Sequence, residues 1–285
     1  MAYLYLLLSA VCSLIIAHLL KLTEVKQART LNTLTVNYLI AFIVAFGVGA
    51  GDANGSGLFL INYMFLFCMI IGAFFIGNFV VYGKSVHING IGVSVSAMRL
   101  SLVIPVLISI LLYGEKLGYL KALGILMVLG ALILLIPKQT HIKIKNINAS
   151  WLLLSTFLLT GFADASLKIY HESFSAQLNE ANFMGYVFVA AFLIGLGICL
   201  YRKGPLVSRK EMLLGACIGI PNLYSSIFLI DALNGIKGAV AFPIVNTMNV
   251  LGGTLLGLLV WKDNVTSRQW LGIFVAVTAI LLLVI

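Results

Sequence analysis

The chain has 285 residues, of which 61% are hydrophobic and only 9% are charged. A soluble domain carries about 25% charged residues, and a core of this size cannot hide so much apolar surface. These figures exclude a soluble globular enzyme. The net charge of +9 is spread over single residues and pairs between apolar runs. That pattern is typical of short loops beside a membrane, and it argues against a nucleic-acid partner, which requires a clustered basic face.

Ten apolar runs follow one another along the chain, joined by short connections. A helix needs about 20 apolar residues to cross the hydrocarbon core of a bilayer, so each run predicts a membrane-spanning helix. The first run has no basic residue before it, and we therefore interpret it as a membrane segment rather than a secretory signal peptide. In chain order, segments 1 to 10 are 3–20, 33–50, 60–82, 90–113, 119–136, 151–168, 182–200, 211–230, 238–261 and 269–285.

The chain reads as two related halves of five segments. Leu123-Gly124-Ile125 in segment 5 matches Leu271-Gly272-Ile273 in segment 10, and Asn89-Gly90-Ile91 ahead of segment 4 matches Asn234-Gly235-Ile236 ahead of segment 9. Because five is odd, the second half enters the membrane from the opposite side, and the repeat is inverted. The predicted fold is an all-α membrane protein with two inverted five-helix repeats, at 1–137 and 151–285, joined by a loop at 138–150.

The end of the first half carries a recognisable motif. Segment 4 leads to Leu112-Tyr113-Gly114-Glu115, and a glycine-bearing helix follows; in the second half Lys262-Asp263-Asn264 replaces the Gly-Glu pair. With the five-plus-five layout, this resembles the EamA-like ten-helix members of the drug/metabolite transporter superfamily. The resemblance implies that segments 1–4 and 6–9 surround a central cavity, with segments 5 and 10 at the periphery. It also implies transport of metabolites or drugs, usually outward.

Charged residues inside the apolar segments are the first candidates for a site. Arg99 in segment 4 and Asp164 in segment 6 are costly in a membrane unless they face a polar cavity or a partner. The arginine suits a carboxylate or phosphate, and the aspartate suits a proton or an amine. The alternative is structural pairing of Asp164 with Arg99 or Lys168. His18, near the end of segment 1, is a second candidate for proton coupling, although a histidine in this position more often simply lies at the interface.

Buried amides form the second set of candidates. Asn78 in segment 3 and Asn222 in segment 8 occupy similar positions in the two halves, and Asn246 and Asn249 share one face of segment 9. We predict that these side chains bind a polar substrate, and that Tyr224 stacks on it. Helix–helix contacts for the amides and simple packing for the tyrosine are the alternative interpretations. Pro221, just before Asn222, favours an irregular stretch beside the cavity.

Together these features predict a secondary active transporter, most simply an exporter, of a small polar, anionic or zwitterionic metabolite by alternating access. The alternative within transport is a broad exporter of aromatic or drug-like compounds, and an intramembrane lipid-modifying enzyme is the alternative from another class. We expect no enzyme activity, cofactor or metal. The expected partners are a small-molecule substrate, the lipid bilayer and protons. The expected state is a monomer or a homodimer in the cell (inner) membrane.

The distribution of Lys and Arg predicts the orientation. Thirteen of the 18 basic residues fall in connections 1–2, 3–4, 5–6, 7–8 and 9–10, which share one side of the membrane. Four fall on the opposite side, and the remaining one, Arg99, lies inside segment 4. Because cytoplasmic loops are rich in basic residues, both termini are predicted to lie outside the cytoplasm, the reverse of the usual family arrangement. A reporter that is active only in the cytoplasm, fused after Ile285, is expected to give no signal. Strong activity would reverse the orientation.

Overall fold

The computed structural model describes residues 1–49, 62–135, 147–202, 207–262 and 266–285, and every regular element within these ranges is a helix. This confirms the all-α prediction. Nine helical spans in the described chain are long and apolar enough to cross a membrane, and Tyr119–Leu135 is a shorter apolar helix. The helices are α1 (Ala2–Val25), α2 (Thr30–Gly49), α3 (Asn62–Asn89), α4 (Ile91–Leu100), α5 (Val103–Leu111), α6 (Tyr119–Leu135), α7 (Ile147–Ser173), α8 (Glu180–Tyr201), α9 (Arg209–Leu233), α10 (Gly238–Leu259) and α11 (Ser267–Val284).

Segment 4 is broken into two helices, which the apolar pattern did not reveal. α4 ends at Leu100, the chain turns at Ser101 and Leu102, and α5 begins at Val103. Pro105 explains part of the break, because it has no N–H to donate back to Ser101. The prolines of the second half behave differently, since α9 continues through Pro221 and α10 continues through Pro243. The irregular stretch predicted at Pro221 is therefore wrong.

The packing of the helices is consistent with an inverted repeat. α1 packs against α9, which joins the first segment of one half to the third segment of the other. α3 packs against α7, which is the same contact with the two halves exchanged. α2 packs against α8, and α6 packs mainly against α11. The outer faces of α6 and α11 expose large apolar side chains such as Leu126 and Phe274, as expected for a surface that meets lipid. The boundary between the halves stays a prediction, because residues 136–146 lie outside the described ranges.

Two glycines allow α2 and α9 to approach closely. A Cβ added at Gly215 would lie 2.6 Å from the backbone oxygen of Thr33, and one added at Gly219 would lie 2.8 Å from the backbone oxygen of Asn37. No side chain larger than hydrogen fits at either contact, so the two backbones set the distance between the helices. This contact matters for the site, because it brings the Asn37 side chain of α2 beside Asn222, one turn further along α9.

The turn after segment 4 uses the same unusual backbone conformation as the turn after segment 9. Gly114 has a φ of 64°, and Lys262, which replaces the glycine in the second half, has a φ of 56°. Left-handed φ values cost a residue with a side chain about 1–2 kcal/mol, and glycine avoids this cost. The second half therefore keeps the turn although it lacks the glycine; its acidic neighbour, Asp263, lies outside the described residues.

Gly114→Ala should lower the free energy of unfolding by about 1 kcal/mol. A Cβ at this position would meet no atom within 4 Å, so the cost comes from the backbone alone. Gly118→Ala is the matched control, because a Cβ there also meets open space and its φ is not left-handed. Thermal unfolding in detergent measures both variants. Equal stability of the two would contradict the assignment of strain to Gly114.

Candidate functional site

A cavity of about 240 Å³ lies between the two halves, near the middle of the long helices. Its walls come from α1, α3 and α4 of the first half and from α7, α9 and α10 of the second. The family resemblance also placed segments 2 and 7 around the cavity, but α2 and α8 supply none of the lining residues that the structure describes and instead support α9 and α3. The lining residues are Ser13, Leu14, Ile16, Ala17, Phe75, Asn78, Phe79, Arg99, Thr160, Ala163, Asp164, Asn222, Ser225 and Asn249.

Arg99 reaches the cavity from a helix end. It lies in the last turn of α4, directly before the break at Ser101 and Leu102. The carbonyl groups at the end of a helix carry partial negative charge, which favours a cation in this turn. Interrupted membrane helices are tolerated where they line a water-filled cavity, and they frequently mark substrate sites. The break therefore gives Arg99 both an electrostatic reason for its position and access to the cavity.

Asp164 faces Arg99 from the second half without touching it. Both side chains line the cavity and interact electrostatically. Within the described chain, however, no hydrogen bond or ion pair joins the two, so the structural Arg99–Asp164 pair considered from the sequence is absent. The other considered pair, Asp164 with Lys168, is also absent, because Lys168 pairs with Glu115 and Glu172 instead. Arg99 and Asp164 thus remain available to a molecule lying between them.

Two of the cavity amides are held in one orientation by the opposite half of the protein. The Thr160 hydroxyl donates to Oδ1 of Asn78 at 2.8 Å, and Nδ2 of Asn222 donates to Oδ1 of Asn37 at 3.2 Å. Each bond uses one end of an amide and leaves the other end for the cavity. Asn78 therefore offers a donor, whereas Asn222 offers an acceptor. Each amide can therefore join two helices with one end and bind a ligand with the other, so the two interpretations that the sequence left open are compatible.

Asn249 adds another acceptor. It lines the cavity, and its Oδ1 is buried without a hydrogen-bond partner in the described part of the chain. A buried oxygen without a partner costs roughly 1–3 kcal/mol, so a ligand donor at this position would recover stability. With this residue the cavity shows a clear division. The positive charge, at Arg99, comes from the first half, and the negative charge, at Asp164, comes from the second, which also supplies the amide oxygens of Asn222 and Asn249.

Three other predicted residues do not line the cavity. The Asn246 amide donates to the backbone oxygen of Phe242 in its own helix, and the Tyr224 ring lies 5.6 Å from that of Phe228. The His18 ring lies 5.5 Å from that of Trp261, with a buried Nδ1 that has no partner among the described residues. The structure therefore groups five of the eight predicted residues and leaves these three outside.

Sequence reasoning missed the residues that support the amides. Thr160 and Asn37 carry no charge and are not unusual in a membrane helix, so only their position across the helix contacts reveals their role. One signal was available for Asn37. Asn37 lies where α2 packs against Gly215 and Gly219 of α9, and such glycines indicate where a neighbouring backbone comes close. No comparable signal distinguishes Thr160.

The apolar helices and the central cavity define a multi-pass membrane protein. Residues 149–285 match the EamA-like transporter family, which confirms the resemblance seen in the sequence, and the helical fold fits the drug/metabolite transporter superfamily. An uncharacterized protein of Haemophilus influenzae is 25% identical over 286 residues, covering 96% of this chain and 95% of that protein. A solved crystal structure aligns with a TM-score of 0.79 over 99% of this chain and 95% of that one; at 13% identity it supports the fold alone. The family match indicates a membrane transporter of small molecules.

The opposed charges lead to a double-mutant prediction. Arg99→Met and Asp164→Asn each leave one charge in the cavity without its counterpart, so each should lower the melting temperature in detergent. The double variant removes both charges and should be about 1 kcal/mol more stable than the sum of the single effects. Arg99→Met combined with Glu211→Gln is the control, because Glu211 pairs with Arg29 and its effect should simply add. Additivity in both cycles would show that Arg99 and Asp164 do not interact.

Proposed function

We propose that this protein is a secondary active transporter that exports a small zwitterionic metabolite by alternating access. In this proposal Arg99 binds the anionic group of the substrate, and Asp164 binds its amine or exchanges a proton. The amides of Asn78, Asn222 and Asn249 bind the polar groups between the two charged ends.

The observation that carries the proposal is the arrangement of charge in the cavity. A guanidinium and a carboxylate face the same space from opposite halves, and no bond between them neutralises either. A ligand with one positive and one negative group satisfies both charges at once, whereas an anion or a cation alone leaves one charge unpaired. Unpaired buried charge is costly, so the cavity favours the zwitterion over its singly charged analogues.

The same arrangement supports alternating access. The positive charge belongs to one half and the negative charge to the other, so a bound zwitterion contacts both repeats. In transporters with inverted repeats, the two halves move relative to each other around a site near the midplane. A substrate that bridges the halves is therefore able to influence their relative position. The outward direction rests on the resemblance to the family.

The competing transport proposal, a broad exporter of aromatic or drug-like compounds, has less support in the cavity wall. Phe75 and Phe79 are the aromatic residues in the described lining, and they share it with two charged residues and three amides. An apolar ligand would displace water from these polar groups without replacing its hydrogen bonds. Tyr224, the aromatic residue predicted from the sequence, does not line the cavity.

A set of matched ligands tests the proposal. β-Alanine is a zwitterion, while propionate and propylamine each keep one of its charges on a chain of similar size. Purified protein should gain a few degrees of melting temperature with β-alanine or a longer homologue, and less with either analogue. Arg99→Ala should abolish the gain.

Asp164→Asn separates the two roles of the carboxylate. If Asp164 binds the amine, the variant should no longer distinguish β-alanine from propionate. If the zwitterion still binds preferentially and only gradient-driven uptake in vesicles is lost, the carboxylate carries the proton. Equal shifts with all three ligands, in the native protein and in both variants, would refute the zwitterion site.

A further inference from the structure

The Gly-Glu motif of the first half does not line the cavity. Its glutamate, Glu115, instead joins the two halves at one end of the cavity. The Glu115 carboxylate accepts hydrogen bonds from the backbone N–H groups of Gly238 and Ala239, each at 2.9 Å. These are the first two residues of α10, whose N-terminus attracts negative charge. Nζ of Lys168 in α7 lies 2.7 Å from the same carboxylate. Glu115 belongs to the first half, and all three of its partners belong to the second.

The position of Lys168 places this cluster at the end of the substrate cavity. Asp164 lines the cavity, and Lys168 follows it by four residues on α7, so the two lie on one face about 6 Å apart along the axis. A path from Asp164 along this face of α7 toward the end of the helix passes Lys168. The cluster therefore stands between the cavity and the nearer surface of the protein.

This end of the protein is tightly closed. The Lys168 side chain is only 2% exposed and that of Glu115 only 9%. A Cβ added at Gly238 would lie 2.4 Å from Oγ of Ser109 and 3.1 Å from the carbon chain of Lys168. The cluster is therefore closely packed and shielded from solvent.

The corresponding end of the first half is packed differently. Lys21 in α1 occupies the position that Lys168 occupies in α7, one turn beyond the cavity residue Ala17. Its Nζ lies over the Trp261 ring, 4.5 Å from the centroid, and the side chain is partly exposed. The protein thus has a fully buried lysine at one end of the cavity and a partly exposed lysine at the other.

We propose that Glu115, Lys168, Gly238 and Ala239 form a latch that opens when the cavity becomes accessible from the Glu115 side. The inference rests on the proposed alternating access, and it assigns the Gly-Glu motif the role of holding one end closed. Opening separates Glu115 from both Lys168 and α10. Gly114, whose left-handed backbone immediately precedes Glu115, belongs to the same turn.

Glu172 makes the latch reversible. It lies one turn after Lys168 on α7, is partly exposed, and already contacts Nζ of Lys168. When Glu115 leaves, Lys168 keeps a carboxylate partner within its own helix. Removing one partner from a buried ion pair is very costly because the remaining charge has no compensation, and Glu172 avoids that cost. The closed state gains charge-assisted hydrogen bonds, and in the open state the buried Lys168 keeps a carboxylate partner.

Cysteine labelling from each face of the membrane tests the latch without any substrate. Ser13 lines the cavity, so Ser13→Cys in a background without the four native cysteines reports when the cavity is open. A membrane-impermeant thiol reagent is added separately to each face of sealed vesicles. Glu115→Gln weakens the contact with Lys168 and α10, and labelling from the Glu115 face should become about tenfold faster. Labelling from the opposite face should become slower.

Glu211→Gln is the matched control. It makes the same chemical change in another ion pair between the halves, where Glu211 of α9 binds Arg29, and it should not accelerate labelling from the Glu115 face. Glu115→Asp is a milder variant, one methylene shorter, and should accelerate that labelling several-fold if Glu115→Gln does not fold. Unchanged labelling in every folded Glu115 variant would overturn the latch. Because no ligand is used, that result would leave the zwitterion site untouched, and failure of the ligand test would leave the latch in place.

Discussion

The cost of placing charge inside a membrane governs this structure. The chain meets that cost with partners from the other half. Three residues of the first half have such a partner in the second half. Arg29 binds Glu211, and Glu115 binds Lys168. Arg99 faces Asp164. Two of these pairs are in direct contact and stabilise the association of the repeats. The third is held apart by the cavity, which both side chains line.

The position of each pair follows from local backbone features. The break between α4 and α5 presents Arg99 at a helix end, the Gly114 turn directs Glu115 to the start of α10, and the Ser208 capping box places Glu211 in the first turn of α9. Glycines at the α2–α9 contact bring Asn37 to Asn222. The irregular backbone elements of the structure are thus the ones that position the polar groups, while the regular apolar helices keep those groups away from lipid.

Apolar run length was enough to predict ten membrane segments, because a spanning helix needs a minimum number of apolar residues whatever its neighbours. The break in segment 4 was not predictable in this way, since Ser101 and Leu102 are compatible with a helix. Arg99 and Asp164 were recognisable as site residues because charge is rare in a membrane. Thr160 and Asn37 were not, because their importance depends on which helix lies opposite. Tyr224 was predicted from its residue type and Asn246 from its shared helix face with Asn249, but neither side chain lines the cavity wall.

The division of charge between the halves also affects how the protein is made. The ribosome completes α4, with its arginine, before the aspartate of α7 has been synthesised. During that interval the first five segments contain a cation whose counterpart does not yet exist, and an isolated arginine is poorly tolerated in lipid. The first half therefore gains its final arrangement only after the second half has been inserted beside it. The charged residues thus make the first half depend on the second during biosynthesis.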